Sequence, residues 1–364
     1  MIKDKFFEII KNEGIKQNIN TFIVGGVVRD LVLKKDIKDY DFVIEGSAIE
    51  FAKNANFSIK SIHEPFNTVK VNIDETEIDI ASTRCEKYPK NGCLPVVDKI
   101  GVNIEEDLKR RDFTINSIAL NLKTNEYIDP YSGLSDIKNK VLKILHDNSF
   151  KDDPTRILRG LDFKYRFNFD FDEKTKALAL DTAKNYDREG LSIDRVYLTL
   201  NKIFKTSYSD KILKEILENN YYKIWTNRSS INLDEVGFLE ETIKKFDVKE
   251  KNKFYIAALE AIPYVKPKFK DDFEILNFFK SFNEIQLALY YFKTKDISAY
   301  KYLSLKEIKP LINGKALLEK GFKEGKTIGD ILNTVKKEKI LNKENFKTKE
   351  DELNFVMKNF KVNS

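Results

Sequence analysis

The chain of 364 residues has very few of the residues that form disulfide frameworks, zinc sites or histidine-based catalytic centres. Cys85 and Cys93 are its only cysteines, and His63 and His146 are its only histidines. The spacing of these four residues does not match a zinc cluster, and two cysteines are too few for a disulfide framework. We therefore expect both cysteines to be reduced, and we expect no histidine–aspartate metal centre with phosphohydrolase activity.

Long apolar runs are also missing from the sequence. No stretch approaches the roughly 20 apolar residues that a membrane-spanning helix requires, and residues 1–7 lack the apolar core of a secretory signal peptide. The apolar fraction of 41% is still large enough for a buried core. The sequence thus predicts a folded cytoplasmic protein of about two or three domains, with no membrane association and no indicated partner protein.

Arginine is absent from the last part of the chain, where lysine is abundant. Residues 301–364 contain 15 Lys against 9 Asp and Glu, so this segment carries the whole net charge of +6. A basic segment suits the backbone of a polyanion, although exposed lysines are common in any Lys-rich protein. The charge distribution favours contact with nucleic acid at this end of the chain.

The most informative stretch begins with an apolar run at residues 22–24, which stops at Gly25 and Gly26. Residues 27–35 then carry apolar side chains at helical spacing, so the pattern predicts a strand, a glycine turn and a helix. A glycine pair at this junction lets backbone N–H groups approach a phosphate, and Arg29 adds a positive charge one turn into the helix. We expect a phosphate-binding turn here.

Two aspartates, Asp39 and Asp41, stand at the start of the next predicted strand. Side chains two apart on a strand share a face, so both carboxylates point to one place. Paired carboxylates suit Mg²⁺, and two such ions about 3.5–4 Å apart stabilise the attacking and leaving oxygens of a displacement. Asp79, on the second strand of a predicted hairpin, completes the acidic cluster as a metal ligand or base. Alternatively, these aspartates are ordinary strand residues that face solvent. Their position next to the phosphate-binding turn favours metal-dependent nucleotide chemistry instead.

Further motifs follow the phosphate turn and the aspartate pair in a fixed order. They are Glu-Asp-Leu-Lys-Arg-Arg-Asp-Phe-Thr-Ile-Asn at 106–116, Asp-Asp-Pro-Thr-Arg-Ile-Leu-Arg at 152–159, Leu-Ser-Ile-Asp-Arg-Val at 191–196 and the glycine-containing tail at 311–332. By themselves, Arg110 and Arg111 fit either a triphosphate or neighbouring acidic side chains. Together, the motifs resemble the signatures of class II tRNA nucleotidyltransferases and bacterial poly(A) polymerases, and are closest to those of CCA-adding enzymes.

This resemblance implies transfer of C and A nucleotides from CTP and ATP to the 3′ end of tRNA, without a template, with Mg²⁺ and with release of pyrophosphate. It implies that Arg111 and Asn116 bind the nucleotide. It also implies that Asp153 and Arg156 select C or A through the base edge, while Arg159 helps to hold the nucleotide. The segment at 311–332 would then grip the tRNA.

Departures from the family pattern leave other products open. Asp162 stands where relatives usually have a nucleotide-contacting arginine, so Lys164 or Arg166 would have to replace it. Residues 85–103, predicted as a mobile loop, have a Pro- and Gly-containing form that also occurs in A-adding and poly(A)-type relatives. The alternatives are therefore A-only or CC-only addition, poly(A) synthesis, a catalytically silent RNA-binding protein, or transfer of a nucleotide to a small molecule such as an antibiotic.

The predicted fold class is α+β. A nucleotidyltransferase head with a small mixed β-sheet and helices spans residues 1–145. An all-helical remainder follows, with a neck that carries the nucleotide-selecting motif at 146–205, a body at 206–300 and a basic, tRNA-binding tail at 301–364.

Overall fold

A computed structural model describes residues 4–37, 39–226, 234–260 and 266–362 of the protein. Parts of the predicted body, at 227–233 and 261–265, lie outside the described residues. No helix in the described ranges is long and apolar enough to cross a membrane.

The chain divides into two compact units, residues 1–230 and 231–364. The first unit contains the predicted head and neck together with the start of the predicted body. The finer boundaries at 145, 205 and 300 stay predictions.

The first unit is built on β-structure. Its strands are β1 (Thr21–Val24), β2 (Tyr40–Ile44), β3 (Ser58–His63), β4 (Thr68–Ile73), β5 (Thr76–Ser82), β6 (Arg84–Lys87), β7 (Val96–Ile100), β8 (Ala119–Asn121), β9 (Tyr127–Ile128), β10 (Val141–Leu142) and β11 (Asp170–Phe171). The main sheet has the order β3-β4-β5-β2-β1-β8-β9. Only β2 and β5 pair in parallel within this sheet as described, and the other neighbours are antiparallel. The predicted mixed sheet is confirmed.

Helices surround the sheet and form the neck of the first unit. They are α1 (Lys5–Gln17), α2 (Gly26–Val32), α3 (Ala48–Asn54), α4 (Ile104–Lys109), α5 (Gly133–Asn139), α6 (Ser149–Asp152), α7 (Thr155–Phe167), α8 (Glu173–Asn185), α9 (Ile193–Ile203) and α10 (Ser209–Glu218).

The second unit is helical throughout its described residues. Its helices are α11 (Asp234–Phe246), α12 (Lys251–Leu259), α13 (Asp272–Phe279), α14 (Glu284–Thr294), α15 (Ser298–Leu305), α16 (Gly314–Glu319), α17 (Lys326–Leu341) and α18 (Lys349–Asn359). The prediction of helices after the head is confirmed.

The hairpin of β4 and β5 follows directly from its alternating sequence. Ile78 and Ile80 are fully buried on one face, while Asp79 between them is exposed on the other. The two-residue turn at Asp74 and Glu75 has positive φ at both positions, the geometry that matches the twist of antiparallel strands. The alternation of buried and exposed residues along β5 therefore determines which face of the sheet carries Asp79.

The glycine turn between β1 and α2 requires a residue without a side chain. Gly25 has φ +61° and ψ −119°, a conformation that L side chains rarely adopt. A Cβ atom at this position would also lie 2.8 Å from Nη1 of Arg111. Helix α2 then begins at Gly26, as the sequence predicts.

The segment predicted as a mobile loop, residues 85–103, contains most of a β-hairpin that the sequence pattern did not indicate. Strands β6 and β7 pair antiparallel, with Arg84 opposite Ile100 and Lys87 opposite Val96. A register shift at Cys85 and Glu86 breaks the alternation of side chains, so no period of two is visible in the sequence.

The tip of this hairpin is anchored to the neck. The Gly92 N–H donates to the carbonyl of Asp152 at 3.0 Å, and the Ser192 N–H donates to the carbonyl of Gly92 at 3.3 Å. The tip therefore reaches the segment that contains the predicted base-selecting residues.

In the second unit, a buried carboxylate organises the predicted tail. Glu352 is fully buried within α18 and accepts hydrogen bonds from the backbone N–H groups of Leu311 and Ile312, at 2.7 and 2.9 Å. Lys339 donates to its other oxygen at 2.7 Å. Because a buried charge is tolerated only when it is paired, these contacts fix the chain that enters α16.

Candidate active site

The predicted carboxylate pair lies at one edge of a cavity of about 470 Å³ that Gly26 and Arg29 also line. Asp41 is on β2 and Asp39 directly precedes this strand. Desolvation within the cleft, and then repulsion from Asp79 and Asp39, holds the pKa of Asp41 above its ordinary value. Crowded carboxylates of this kind favour a cation between them.

The donor set of this edge fits Mg²⁺. Within the residues that the structure describes, no three metal-ligating side chains converge closely enough to hold an ion by themselves. Mg²⁺ is commonly held by one or two carboxylates together with substrate phosphates. Asp39 and Asp41 would therefore be the protein ligands of an ion that also binds the nucleotide phosphates.

Asp79 lies beside Asp41, because the two residues are register partners on the parallel strands β2 and β5. Its carboxylate is 2.8 Å from Nζ of Lys70 on the neighbouring strand β4. The structure therefore brings the third predicted carboxylate to the site, paired with a lysine. Its role as ligand or base stays a prediction.

Arg29 is held rigidly next to the glycine turn. Its buried guanidinium donates to Asp30 at 2.9 and 3.0 Å and to Oδ1 of Asn116 at 2.6 Å. Its Cζ atom lies 4.5 Å from the ring centroid of Phe167. Burial lowers the pKa of Arg29, and the Asp30 carboxylate opposes this effect. A guanidinium fixed by three partners presents its charge without a large loss of conformational entropy.

The second motif places two arginines on one buried carboxylate. Asp107 accepts from Arg110 at 2.9 and 3.0 Å and from Arg111 at 2.9 Å. Burial alone would raise the pKa of Asp107, but the two guanidinium groups hold it below its ordinary value. The buried Nε of Arg111 has no hydrogen-bond partner in the described parts of the chain.

A chain of polar contacts connects the head to α7. Nδ2 of Asn116 donates to Asp112 at 2.9 Å, and Nη2 of Arg159 lies 2.6 Å from the other oxygen of Asp112. Both ends of the Asn116 side chain are thus used to position Arg29 and Asp112. Its predicted contact with the nucleotide is untested.

The two predicted base-selecting residues are both buried and both held by neighbours. Asp153 accepts from the backbone N–H of Thr155 at 3.0 Å, and its other oxygen pairs with Arg195 on α9. Arg156 donates to Ser149 at 2.6 Å and to the hydroxyl of Tyr88 at 3.2 Å. The hairpin and α9 therefore fix the orientation of this pair.

Sequence reasoning did not assign Tyr88 or Arg195 to the site. Arg195 lies in the neck motif at 191–196, which was the signal available for it. Tyr88 lies in the hairpin whose alternation is broken, so no local pattern marked it.

Asp162, the main departure from the family pattern, lines neither of the cavities at the glycine turn and accepts from the hydroxyl of Tyr208 at 2.8 Å. Of the two candidate substitutes, Lys164 is bound 3.0 Å from both Asp170 and Glu215. Arg166 instead lines the cavity of the carboxylate pair.

The glycine turn, Asp41 and the base-selecting pair line a single cavity of about 460 Å³. Its lining includes Gly25, Gly26, Arg29 and Asp41 together with Tyr88, Asp153, Arg156 and Arg195, and also Arg111, Asn116 and Arg159. This polar lining, rich in arginine, suits a ligand with anionic and hydrogen-bonding groups. Fold and site together define the class of this molecule, a nucleotidyltransferase head followed by helical domains.

Comparison with known proteins agrees with that class. Residues 21–143 match the family described as Poly A polymerase head domain. An A-adding tRNA nucleotidyltransferase of Aquifex aeolicus is 36% identical over 247 residues, which cover 62% of this chain and 30% of that relative. An A-adding tRNA nucleotidyltransferase of Halalkalibacterium halodurans is 44% identical over 174 residues, which cover 46% and 40%. The chain thus spans less than half the length of these two curated relatives.

A solved apo structure of a CCA-adding enzyme is similar along almost the whole chain. It shares 25% sequence identity with a TM-score of 0.76, and the match covers 98% of this chain and 95% of that one. The head domain and the overall fold are thus similar to those of class II tRNA nucleotidyltransferases and poly(A) polymerases, as the motifs indicate.

Proposed function

We propose that this protein adds C and A nucleotides from CTP and ATP to the 3′ end of tRNA, without a template. The observation that carries the proposal is the single cavity that Asp41, the glycine turn and the base-selecting residues line together. The names of its relatives, A-adding and CCA-adding enzymes, support tRNA as the acceptor.

In the proposed reaction, the 3′ oxygen of the RNA attacks the α-phosphorus of the nucleotide. A new P–O bond forms, the bond to the bridging oxygen breaks, and pyrophosphate leaves with that electron pair. Mg²⁺, held by Asp39 and Asp41, would neutralise charge on the phosphates. The backbone of Gly25 and Gly26 receives the phosphates, and Arg29 supplies a fixed positive charge. Positioning and charge stabilisation therefore account for most of the catalysis.

Asp153 and Arg156 would select the base. Asp153 offers an acceptor and Arg156 offers donors, so the pair matches a Watson–Crick edge with complementary groups. Both side chains are buried and held in a fixed orientation, so a base whose edge does not match would lose its hydrogen bonds to them. The contacts from Tyr88 and Arg195 hold these groups in place before a nucleotide arrives.

Addition of both C and A is the product that the site supports best. The charge of Asp162 is directed toward Tyr208, so it does not oppose a bound triphosphate. Addition of A alone is the second candidate, and the A-adding relatives favour it.

Incorporation of each labelled nucleotide into three tRNA transcripts tests the proposal. One transcript lacks CCA, one ends in CC and one is complete. We expect the first to gain two C and one A in the presence of Mg²⁺ and then stop. Reaction of the CC-ending transcript alone would establish the A-only candidate, and a first transcript that stops after two C would establish CC addition. An absence of incorporation into all transcripts would reject the proposed function.

A further inference from the structure

The solvent-facing side of the sheet continues beyond the carboxylates onto two further strands. Register pairs Asp41 with Asp79, and Thr68 with Ala81 on the same face as Asp79. The next strand, β3, places His63 opposite Thr68. Because directly opposed residues on neighbouring strands share a face, His63 lies on the same side of the sheet as the catalytic carboxylates.

His63 is part of a stack of flat side chains at the end of the β3–β4 hairpin. Its ring lies 5.1 Å from that of Phe66 at an interplanar angle of 14°. The guanidinium carbon of Arg84 lies 5.0 Å from the centroid of Phe66. His63 is exposed, so this stack has an accessible member.

Arg84, at the end of this stack, also lines a smaller cavity beside the carboxylates. It measures about 330 Å³ and is lined by Asp41, Asp79, Thr68, Arg84 and Arg110 among others. It shares Asp41 and Arg111 with the cavity of the base-selecting pair, but neither Asp153 nor Arg156 lines it.

A single carboxylate holds two of the positively charged side chains of this cavity in place. Glu86 accepts from Arg84 at 2.8 Å and from Arg110 at 3.2 Å, so both guanidinium groups are held at its rim. When a nucleotide occupies the cavity of the base-selecting pair, the smaller cavity is left for the RNA strand whose 3′ oxygen attacks that nucleotide.

We propose that this face is a binding site for the single-stranded 3′ end of the acceptor RNA, with a base stacked on His63. The stack of His63 and Phe66 offers a flat aromatic surface, and Arg84 supplies positive charge beside it. Single-stranded RNA is typically bound in this way, by aromatic stacking next to cations. The inference rests on the proposed function for the identity of the RNA.

The spacing agrees with this assignment. Adjacent strands are about 4.8 Å apart and residues rise about 3.3 Å along a strand. His63 therefore lies roughly 12 Å from Asp79, two strands across and two residues along. The last nucleotide reaches the carboxylates while a preceding base reaches the stack.

The test compares His63→Ala with Ile62→Ala, a neighbour on the same strand that is 42% exposed on the opposite face. We expect His63→Ala to raise the KM for tRNA about tenfold, within the range typical of a lost base stack. The KM for CTP and ATP and the kcat should stay within about twofold, and Ile62→Ala should resemble the wild type. His63→Phe, which keeps a flat ring, should restore the KM for tRNA.

A binding measurement separates this inference from the proposed function. A tRNA transcript with 2-aminopurine near its 3′ end should lose fluorescence on the wild-type protein through stacking, but not on His63→Ala. Equal KM and equal quenching for His63→Ala and Ile62→Ala would overturn the inference while leaving the proposed function intact. A wild type that quenches the probe but incorporates no nucleotide would retain the RNA site and reject the proposed function.

Discussion

Replacement of Asp112 by Asn tests the polar connection between the head and α7. The asparagine is nearly the same size, but its amide nitrogen would face Arg159 donor to donor. A buried donor without an acceptor costs about 1–3 kcal/mol. Arg159 is 48% exposed, so the lost ion pair itself adds little because solvent screens it. We expect the variant to lose about 1–3 kcal/mol of unfolding free energy.

This loss should be visible as a lower melting temperature of the first unit, by about 2–12 °C for a unit of some 200 residues. Arg159 also loses its anchor, and about 1 kcal/mol of lost positioning corresponds to roughly a fivefold higher KM for ATP and CTP. Calorimetry and steady-state kinetics measure the two effects. Asp162→Asn is the matched control. It is also an Asp-to-Asn replacement, but at a residue of α7 whose carboxylate accepts a hydrogen bond from Tyr208.

The pH dependence of the effect has a defined sign. Burial would raise the pKa of Asp112, but Arg159 and Asn116 hold it below its ordinary value. Its contribution is therefore fully present above the unfolded pKa of about 3.9 and is lost as the pH falls through the lower folded value. The difference between wild type and Asp112→Asn should stay constant from about pH 5 to 8. Equal melting temperatures and equal KM values for the Asp112 and Asp162 variants would refute the reasoning.

Four further substitutions test other parts of the molecule. Asp41→Ala should abolish nucleotide transfer while tRNA binding in a filter assay survives, and near-normal turnover would reject the metal-site assignment. Arg156→Ala should change the preference among CTP, ATP, UTP and GTP more than it changes RNA affinity, which single-nucleotide incorporation measures; an unchanged preference would contradict the base-selecting role. Gly25→Ala should lower transfer at least tenfold, because about 1–2 kcal/mol of backbone strain adds to displacement of the guanidinium next to it; activity within twofold of wild type would contradict the close approach. Glu352→Ala should destabilise the second unit by about 3–5 kcal/mol in calorimetry, and an unaltered melting transition would show that its buried contacts contribute little.

The parts of the site that depend on local pattern could be predicted from the sequence. The glycine turn, the Asp39–Asp41 pair and the alternation around Asp79 each depend on residues within a few positions of one another, and the structure places all of them at one cavity edge or in register. The period of two and the strand–turn–helix pattern are strong local signals.

Contacts between distant segments could not be predicted from the sequence. Asp153 is paired with Arg195, 42 residues later, and Asp162 is directed by Tyr208, 46 residues later. The direction of a side chain on a helix is decided by what packs against it, which no local period reveals. The β6–β7 hairpin was missed for a different reason, because the register shift within it removes the alternation itself.

The parallel pairing of β2 and β5 has a consequence for the order in which the protein folds. Asp41 and Asp79 are 38 residues apart, and only this pairing brings them together. Such non-local pairing is slow, because loop closure must be achieved before the contacts stabilise it. A chain emerging from the ribosome therefore keeps these carboxylates apart until β5 has been synthesised and paired. The acidic cluster is therefore completed only when β5 has joined the sheet.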